Sequence, residues 1–210
     1  MKKLFFAIVF AVSAVFTAAI AGNMFDWVAY DSQAVIRFDA AELLKRPEAV
    51  NFLNSSEAMA KQLAFSSKTG CDIKDLQKAV LCSGGNGKGT LVLKFGKKID
   101  LPAALKGLGA DFATSKTGKY TIYTRDERSS VCQLADDLIA FGAQSDLKAL
   151  ITEKRGLPAE FAKFAPANGS YPPVWAAFDI EGVTGTASCT FTGKDNLDQL
   201  LSAGLIFKNV

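Results

Sequence analysis

Residues 90–95, Thr-Leu-Val-Leu-Lys-Phe, alternate between polar and apolar side chains as a half-buried strand does. Leu91, Leu93 and Phe95 would then share one face of the strand, away from the polar positions. The same period of two recurs along the whole chain. It predicts strands at 34–39, 79–83, 90–96, 120–125, 130–135, 138–143, 174–180, 186–192 and 206–208.

Helical segments separate these strands, and three of them carry both a start and a stop signal. Each begins at a polar N-cap, continues with apolar residues at helical spacing and ends near a glycine. The caps are Asp100, Ser145 and Asp195, and the glycines are Gly109, Gly156 and Gly204. Further helices are predicted at 42–53 with a break at Pro47, and at 56–65, 72–78 and 158–164.

The order of these elements suggests an internal repeat. The predicted order is βαββαβ twice, over residues 22–126 and a shorter second unit over 127–210. Phe38-Asp39-Ala40 and Phe141-Gly142-Ala143 occupy comparable positions in the two units. A βαββαβ unit is the split βαβ, or ferredoxin-like, sandwich. The predicted fold is therefore α+β, with two tandem ferredoxin-like units whose antiparallel sheets carry helices packed on one face.

Several local features resemble a known group of proteins. They are the Phe-containing first strand, the Gly-rich segment 84–90, the strand-Phe-Gly-Lys-helix step at 95–97 and Asp-Asp-Leu-Ile-Ala-Phe-Gly at 136–142. With these features the chain resembles uncharacterised exported bacterial proteins built from tandem βαββαβ units. The resemblance implies a fold and an envelope location, and it carries over no functional residue.

The first 21 residues have the three parts of a secretory signal peptide. Lys2 and Lys3 precede an apolar run at 4–18, and Ala-Ile-Ala ending at Ala21 offers small residues to a signal peptidase. Cleavage after Ala21 predicts a periplasmic or secreted protein that does not associate with a membrane. The alternative is that the apolar run stays uncleaved as an anchor.

Four cysteines follow the predicted cleavage site: Cys71, Cys82, Cys132 and Cys189. An even number in an exported chain predicts two disulfides, for which three connectivities are possible. We favour Cys71–Cys82 and Cys132–Cys189, because the first pair brackets one short predicted helix. The alternative is four buried free thiols.

The chain has no histidine, which excludes catalysis by Ser-His-Asp or Cys-His groups and zinc binding by histidine. The net charge is +3 at pH 7, and its interspersed signs argue against a nucleic-acid surface. We predict no cofactor and no metal. The Gly-rich segment 84–90 lacks the strand-to-helix context of a phosphate-binding loop and is interpreted as a hairpin turn.

Carboxylate pairs suggest no site either. Asp136 and Asp137 are adjacent, so they would point to opposite faces of a strand or form a turn. Asp26 and Asp31 have no third polar partner nearby in the sequence. We interpret all four as structural residues.

Three aromatic residues are possible partner contacts. Trp175 would lie on the second face of its strand, where it could anchor a partner if that face is open, or be covered by another layer. Trp27 and Tyr30 would tie the N-terminal segment onto the body or form a second exposed contact.

These observations predict a non-enzymatic protein of the bacterial envelope that is structural or binds another protein. The first alternative is a carrier of a small apolar ligand in a pocket between sheet and helices. The second is a thiol–disulfide enzyme, for which Cys71 before a predicted helix start would be the reactive thiolate.

Overall fold

The computed structural model describes residues 24–84, 89–166, 169, 171–180 and 183–189. Its strands are β1 (Ala34–Asp39), β2 (Leu76–Ser83), β3 (Gly89–Phe95), β4 (Ala113–Thr117), β5 (Tyr120–Asp126), β6 (Ser129–Ala135), β7 (Leu138–Gly142), β8 (Val174–Ile180) and β9 (Val183–Cys189). Its helices are α1 (Ala40–Leu43), α2 (Pro47–Leu53), α3 (Ser56–Thr69), α4 (Leu101–Gly107), α5 (Gln144–Thr152) and α6 (Ala159–Ala162). Two 3₁₀ turns are formed by Met24–Trp27 and Ile73–Asp75.

All nine described strands belong to one sheet. Their order is β4-β5-β6-β7-β3-β2-β1-β8-β9. Every pair of neighbours is antiparallel. The predicted α+β class and the antiparallel sheet are therefore confirmed.

The finer prediction of two tandem ferredoxin-like units is not confirmed. In a split βαβ unit, the strands joined by the first helix run parallel with another strand between them. Here β1 and β2, which α1–α3 connect, are direct antiparallel neighbours, and Ile36 pairs with Leu81. In addition, β7 lies between β6 and β3, so strands from 22–126 and 127–210 share one sheet. A period of two predicts strands, but it does not encode which strands become neighbours.

The prediction that helices pack on one face of the sheet is wrong. Leu91 and Leu93 pack in a cluster that includes residues of α4, whereas Val92 packs with residues of α5. We call these two sides the α4 face and the α5 face. Because three consecutive residues of β3 are apolar, both faces of the strand require a cover.

The segment 72–78 is not the helix that its sequence suggests. The Asp72 side chain accepts a hydrogen bond from the Lys74 backbone at 2.9 Å, which closes only a short 3₁₀ turn. The strand β2 then begins at Leu76, which pairs with Phe95. Pairing across the sheet therefore overrides the local helical pattern. The strand β4 was not predicted, because its residues are mostly exposed and polar.

Of the predicted N-cap residues, one is confirmed and one is wrong. The Asp100 side chain caps α4 by accepting from the Ala103 backbone at 3.0 Å, as predicted. Ser145 is not the cap of α5, because Ala143 occupies that position without a side-chain hydrogen bond. The predicted signal peptide at 1–21, the helix that starts at Asp195 and the strand at 206–208 lie outside the described residues.

Each face of the sheet carries its own apolar core. The core on the α5 face centres on Val35, Val80, Val92, Leu147 and Phe161. The core on the α4 face centres on Ala79, Leu93, Ile139, Leu101 and Leu105. None of the helices in the described part of the chain has the length and apolar character needed to cross a membrane.

Candidate functional site

A row of apolar side chains crosses the α4 face through the middle of the sheet. Ile36 of β1 pairs with Ala176 of β8 on one side and with Leu81 of β2 on the other. Leu81 pairs in turn with Leu91 of β3, which pairs with Phe141 of β7. Residues directly opposite each other point to the same face, so these five side chains form one continuous row. We call this row the open patch.

The helices on the α4 face cover the open patch unevenly, because Leu91 is buried at 9% exposure whereas its neighbour Leu81 is left in solvent. One row further along the strands, Ala79, Leu93 and Ile139 are buried in the cluster that includes residues of α1 and α4. In the open patch, by contrast, Leu81 is 40% exposed although β2 is an interior strand of the sheet. An exposed leucine in the middle of a sheet marks the end of the helical cover.

A second group of exposed apolar side chains lies on α3. Leu63 is 61% exposed and Met59 is 42% exposed, and their spacing of four residues places them on one side of the helix. Val50 of α2 is also exposed. A surface helix normally turns its apolar stripe towards a core. On α3 the apolar side chains at these two positions point to solvent instead.

The α5 face contains a buried ion pair near the carboxyl end of β1. The Arg37 guanidinium donates to Asp39 Oδ2 at 2.7 Å, and both side chains are almost fully buried. Arg37 also donates to the Pro172 carbonyl at 3.2 Å and stacks over the ring of Tyr171. The Asp39 backbone N–H donates to the Pro173 carbonyl at 3.0 Å. These contacts attach the segment before β8 to β1.

Burial shifts the pKa values of Asp39 and of Lys78, its neighbour on β2. It raises the pKa of Asp39, although the hydrogen bond from Arg37 acts in the opposite direction. It lowers the pKa of Lys78, and the nearby positive charge of Arg37 adds to this effect. Asp39 Oδ1 has no hydrogen-bond partner among the described residues. The cluster of Arg37, Asp39 and Lys78 offers charge and hydrogen bonds in an apolar setting.

Trp175 is not an exposed partner contact. It is only 2% exposed and lies on the α5 face, where its ring contacts Phe25 and Tyr171 edge-on at 5.5 and 5.3 Å between centroids. The alternative in which another layer covers its strand is therefore correct. The cover comes from the N-terminal 3₁₀ turn, which is remote in sequence, and from the segment directly before β8.

Trp27 and Tyr30 lie at the surface beside two basic residues. The Arg155 guanidinium sits 4.2 Å from the Trp27 ring centroid, and the Lys154 ammonium sits 3.6 Å from that of Tyr30. An isolated antiparallel β-bridge between Ala29 and Arg155 joins the N-terminal segment to the segment after α5. Trp27 and Tyr30 thus tie the N-terminal segment to the body, and Tyr30 stays 38% exposed.

The favoured cysteine pairs are not formed in this structure. Cys71, Cys82 and Cys132 are free and buried. Cys71 packs on the α4 face and Cys82 on the α5 face, so the sheet separates them. The backbone of Cys189 lies on β9, with five strands between it and the β6 strand of Cys132. That the four cysteines form disulfides in the exported protein stays a prediction.

The remaining candidate groups are the Gly-rich segment, one cleft and potential metal ligands. Residues 85–88 lie outside the described residues, but Ser83 pairs with Gly89, so the Gly-rich segment joins two strands and not a strand to a helix. A cleft of about 340 Å³ lies between the end of α3 and the start of α4. Its lining mixes charged residues, among them Lys68, Lys98 and Asp100, with apolar ones such as Ile99 and Ala103. No cluster of potential metal ligands is found among the described residues.

The sequence did not single out the residues of the open patch or of α3. Leu81 belongs to the run Ala-Val-Leu-Cys at 79–82, whose four consecutive apolar residues indicate burial on both faces. Only the positions of the helices determine that Leu81 escapes this burial. Met59 and Leu63 carry a usable signal, because they lie four residues apart on a helix that has few other large apolar residues.

The comparisons with known proteins give no family. No protein-family model matches the chain, and no curated protein matches it. Solved structures that are similar to it include crystal forms III and IV of TP0453, at 15% and 14% identity, each with a TM-score of 0.46. Crystal form I of TP0453 is similar at 15% identity with a TM-score of 0.42. The matches cover 75% of this chain and no more than 64% of the TP0453 chains, so this chain spans less than two thirds of their length.

Proposed function

We propose that this protein is an exported, non-enzymatic binding module of the bacterial envelope, and that another protein docks on its α4 face. The observation that carries the proposal is the 40% exposure of Leu81 on an interior strand of the sheet. Exposed apolar groups cost free energy in water, and contiguous apolar surface is typical of interaction sites. Met59 and Leu63 of α3 add exposed apolar side chains on the same side of the sheet.

The shape of the open patch favours a protein over a small apolar ligand. Small-molecule sites are concave and enclose most of the ligand. The open patch is a row of side chains on a sheet surface, and the described cleft between α3 and α4 carries the charged side chains of Lys68, Lys98 and Asp100 in its lining. A protein partner can cover a flat surface of this kind, so the carrier remains the second candidate.

The three cysteines whose side chains the structure describes do not favour a thiol–disulfide enzyme. Such an enzyme needs an accessible thiol whose pKa is low enough to form a thiolate. Burial raises the pKa of Cys82 and of Cys132 to about 11, and it raises the pKa of Cys71 as well. These thiols are poor nucleophiles near neutral pH.

The proposal does not depend on the predicted tandem ferredoxin-like units. Two β–helices–β–β stretches do follow each other along the described chain, from β1 to β3 and from β7 to β9. We propose this order as the remnant of an internal repeat whose strands pair differently in the two halves.

Export is proposed on the signal-peptide pattern of residues 1–21, and N-terminal sequencing of the protein from the envelope should then begin at Gly22.

Site-specific photocrosslinking in intact cells tests the proposed docking surface. A photoreactive amino acid is placed at Leu81 or at Leu63, and at Glu127 in the exposed β5–β6 turn as the matched control. We expect a discrete adduct with one protein from positions 81 and 63 but not from 127. Equal labelling at all three positions, or no protein adduct at 81 and 63, would contradict the proposal.

A further inference from the structure

The further inference starts from Lys78, a lysine on the α5 face of β2. It is only 6% exposed. It pairs with Asp39 of β1 on one side and with Lys94 of β3 on the other, so the three charged side chains form a row across the sheet. Most of the other buried side chains on this face belong to an apolar core. A charged group in such a place is costly unless an opposite charge accompanies it.

Each of the two carboxylates near Lys78 has one oxygen engaged by another cation. Asp39 Oδ2 accepts from Arg37 at 2.7 Å, and Asp137 Oδ2 lies 3.1 Å from the Lys94 ammonium. No described residue forms an ion pair or a hydrogen bond with the Lys78 ammonium. The row and its partners thus hold three cations and two carboxylates. One positive charge is left without a counter-ion.

Lys78 and Lys94 are also directly opposite each other on neighbouring strands. Like charges in this position destabilise a sheet, because their side chains approach each other closely. An oxyanion between them would accept hydrogen bonds from both ammonium groups and would replace repulsion by attraction. We propose that Lys78 and Lys94 bind a phosphate or carboxylate group, which is either a free anion or part of a larger molecule.

The exposure of the row shows from which side such an anion would enter. The Asp39 side chain is 4% exposed and Lys78 is 6% exposed. Exposure then rises to 21% for the Lys94 side chain and to 37% for that of Asp137. The row therefore opens to solvent at the β6–β7 turn and is closed at β1. A small group that enters beside Lys94 would meet the Lys78 ammonium at the inner end.

Thermal unfolding in the presence of oxyanions tests this site. The probes are inorganic phosphate, acetate and a short-chain phosphatidate, each compared with sodium chloride at the same ionic strength. At an anion concentration about tenfold above the dissociation constant, we expect the midpoint of unfolding to rise by about 3 °C. A shift with phosphatidate alone would identify the group as a lipid headgroup, and a shift with inorganic phosphate or acetate would identify a free anion.

The variants Lys78→Met and Lys94→Met separate binding from a structural role. Each should lose most of the anion-dependent shift, whereas Lys98→Met, which alters an exposed lysine paired with Asp136, should keep it. Lys78→Met should also fold at least as stably as the wild type without anion, since it removes a buried charge without a partner. If Lys78→Met fails to fold, the loss of the anion-dependent shift in Lys94→Met tests the proposal, because Lys94 is partly exposed. The proposal is overturned if no probe raises the unfolding midpoint of the wild type. It is also overturned if the anion-dependent rise survives in both variants. The charge of Lys78 would then be balanced by the free oxygen of Asp39.

Discussion

The guanidinium of Arg37 donates to Asp39 Oδ2 across 2.7 Å on the buried α5 face, and this ion pair secures the chain that leads into β8. Arg37 reaches the Pro172 carbonyl, and the backbone of Asp39 reaches the Pro173 carbonyl. The pairing of β8 with β1 is therefore reinforced at the start of β8 by one side-chain and one backbone hydrogen bond. The polar groups in this core serve the connection between two distant parts of the chain.

The first prediction concerns the pH dependence of the ion pair, tested with Asp39→Asn. The pKa of Asp39 is raised by burial, so the folded protein binds the proton more tightly than the unfolded chain. The stabilisation that this provides is fully present below the unfolded pKa of about 3.9 and is lost as the pH rises through the folded pKa. The free energy of unfolding of the wild type should therefore fall relative to that of Asp39→Asn as the pH rises from 3 to 6.

Asp126→Asn is the control for this measurement. Hydrogen bonds from Ser129 lower the pKa of Asp126, so its contribution is present at higher pH and is lost as the pH falls. Urea unfolding of the three proteins across the pH series should give differences of opposite slope for the two variants. A difference for Asp39→Asn that grows with pH would mean that the attraction of Arg37 outweighs burial.

The second prediction compares two leucines on the α4 face, Leu81 of the open patch and Leu93 of the covered row. Leu93 is almost fully buried, so Leu93→Ala should cost about 2–5 kcal/mol of unfolding free energy. Leu81 is partly in solvent, so Leu81→Ala should cost about 1 kcal/mol or less. Denaturant unfolding measures both values. Equal losses would show that Leu81 is covered in solution, which would contradict the open patch.

The third prediction concerns the thiols. Cys71, Cys82 and Cys132 are buried, and their pKa values are raised, so alkylation of the folded protein without reductant should be slow at all three. In denaturant, mass spectrometry of peptides should find no disulfide between Cys71 and Cys82, because the sheet lies between them. A Cys71–Cys82 peptide from protein purified under non-reducing conditions would contradict the arrangement of these two cysteines.

Local elements of this fold could be predicted from the sequence, but their partners could not. The alternation around Leu91 predicts β3, and Pro47 separates α1 from α2, because both signals act within a few residues. The burial of Trp175 depends on Phe25, which lies far away in the chain and carries no local mark of that contact. The exposure of Leu81 depends in the same way on where the helical cover ends.

The fourth prediction sets helix propensity against packing at Gly107, the last residue of α4. Glycine disfavours helices, so Gly107→Ala would stabilise α4 by up to about 1 kcal/mol if propensity alone decided. A Cβ at this position would, however, overlap the backbone carbonyl of Lys68 at the end of α3. A backbone group cannot move aside as a flexible side chain does, so α3 and α4 would have to separate. We therefore expect Gly107→Ala to lower the free energy of unfolding by about 1–3 kcal/mol.

Lys106→Ala is the matched control, since it changes the preceding exposed residue of the same helix. Its effect should stay within about 0.5 kcal/mol, because a solvent-exposed side chain has little to lose. Denaturant unfolding of the two variants gives the sign directly. A stabilised Gly107→Ala variant would show that α3 and α4 do not touch at this point in solution. The helix α3, which carries the exposed side chains of Met59 and Leu63, would then be less firmly packed against α4 than the structure indicates.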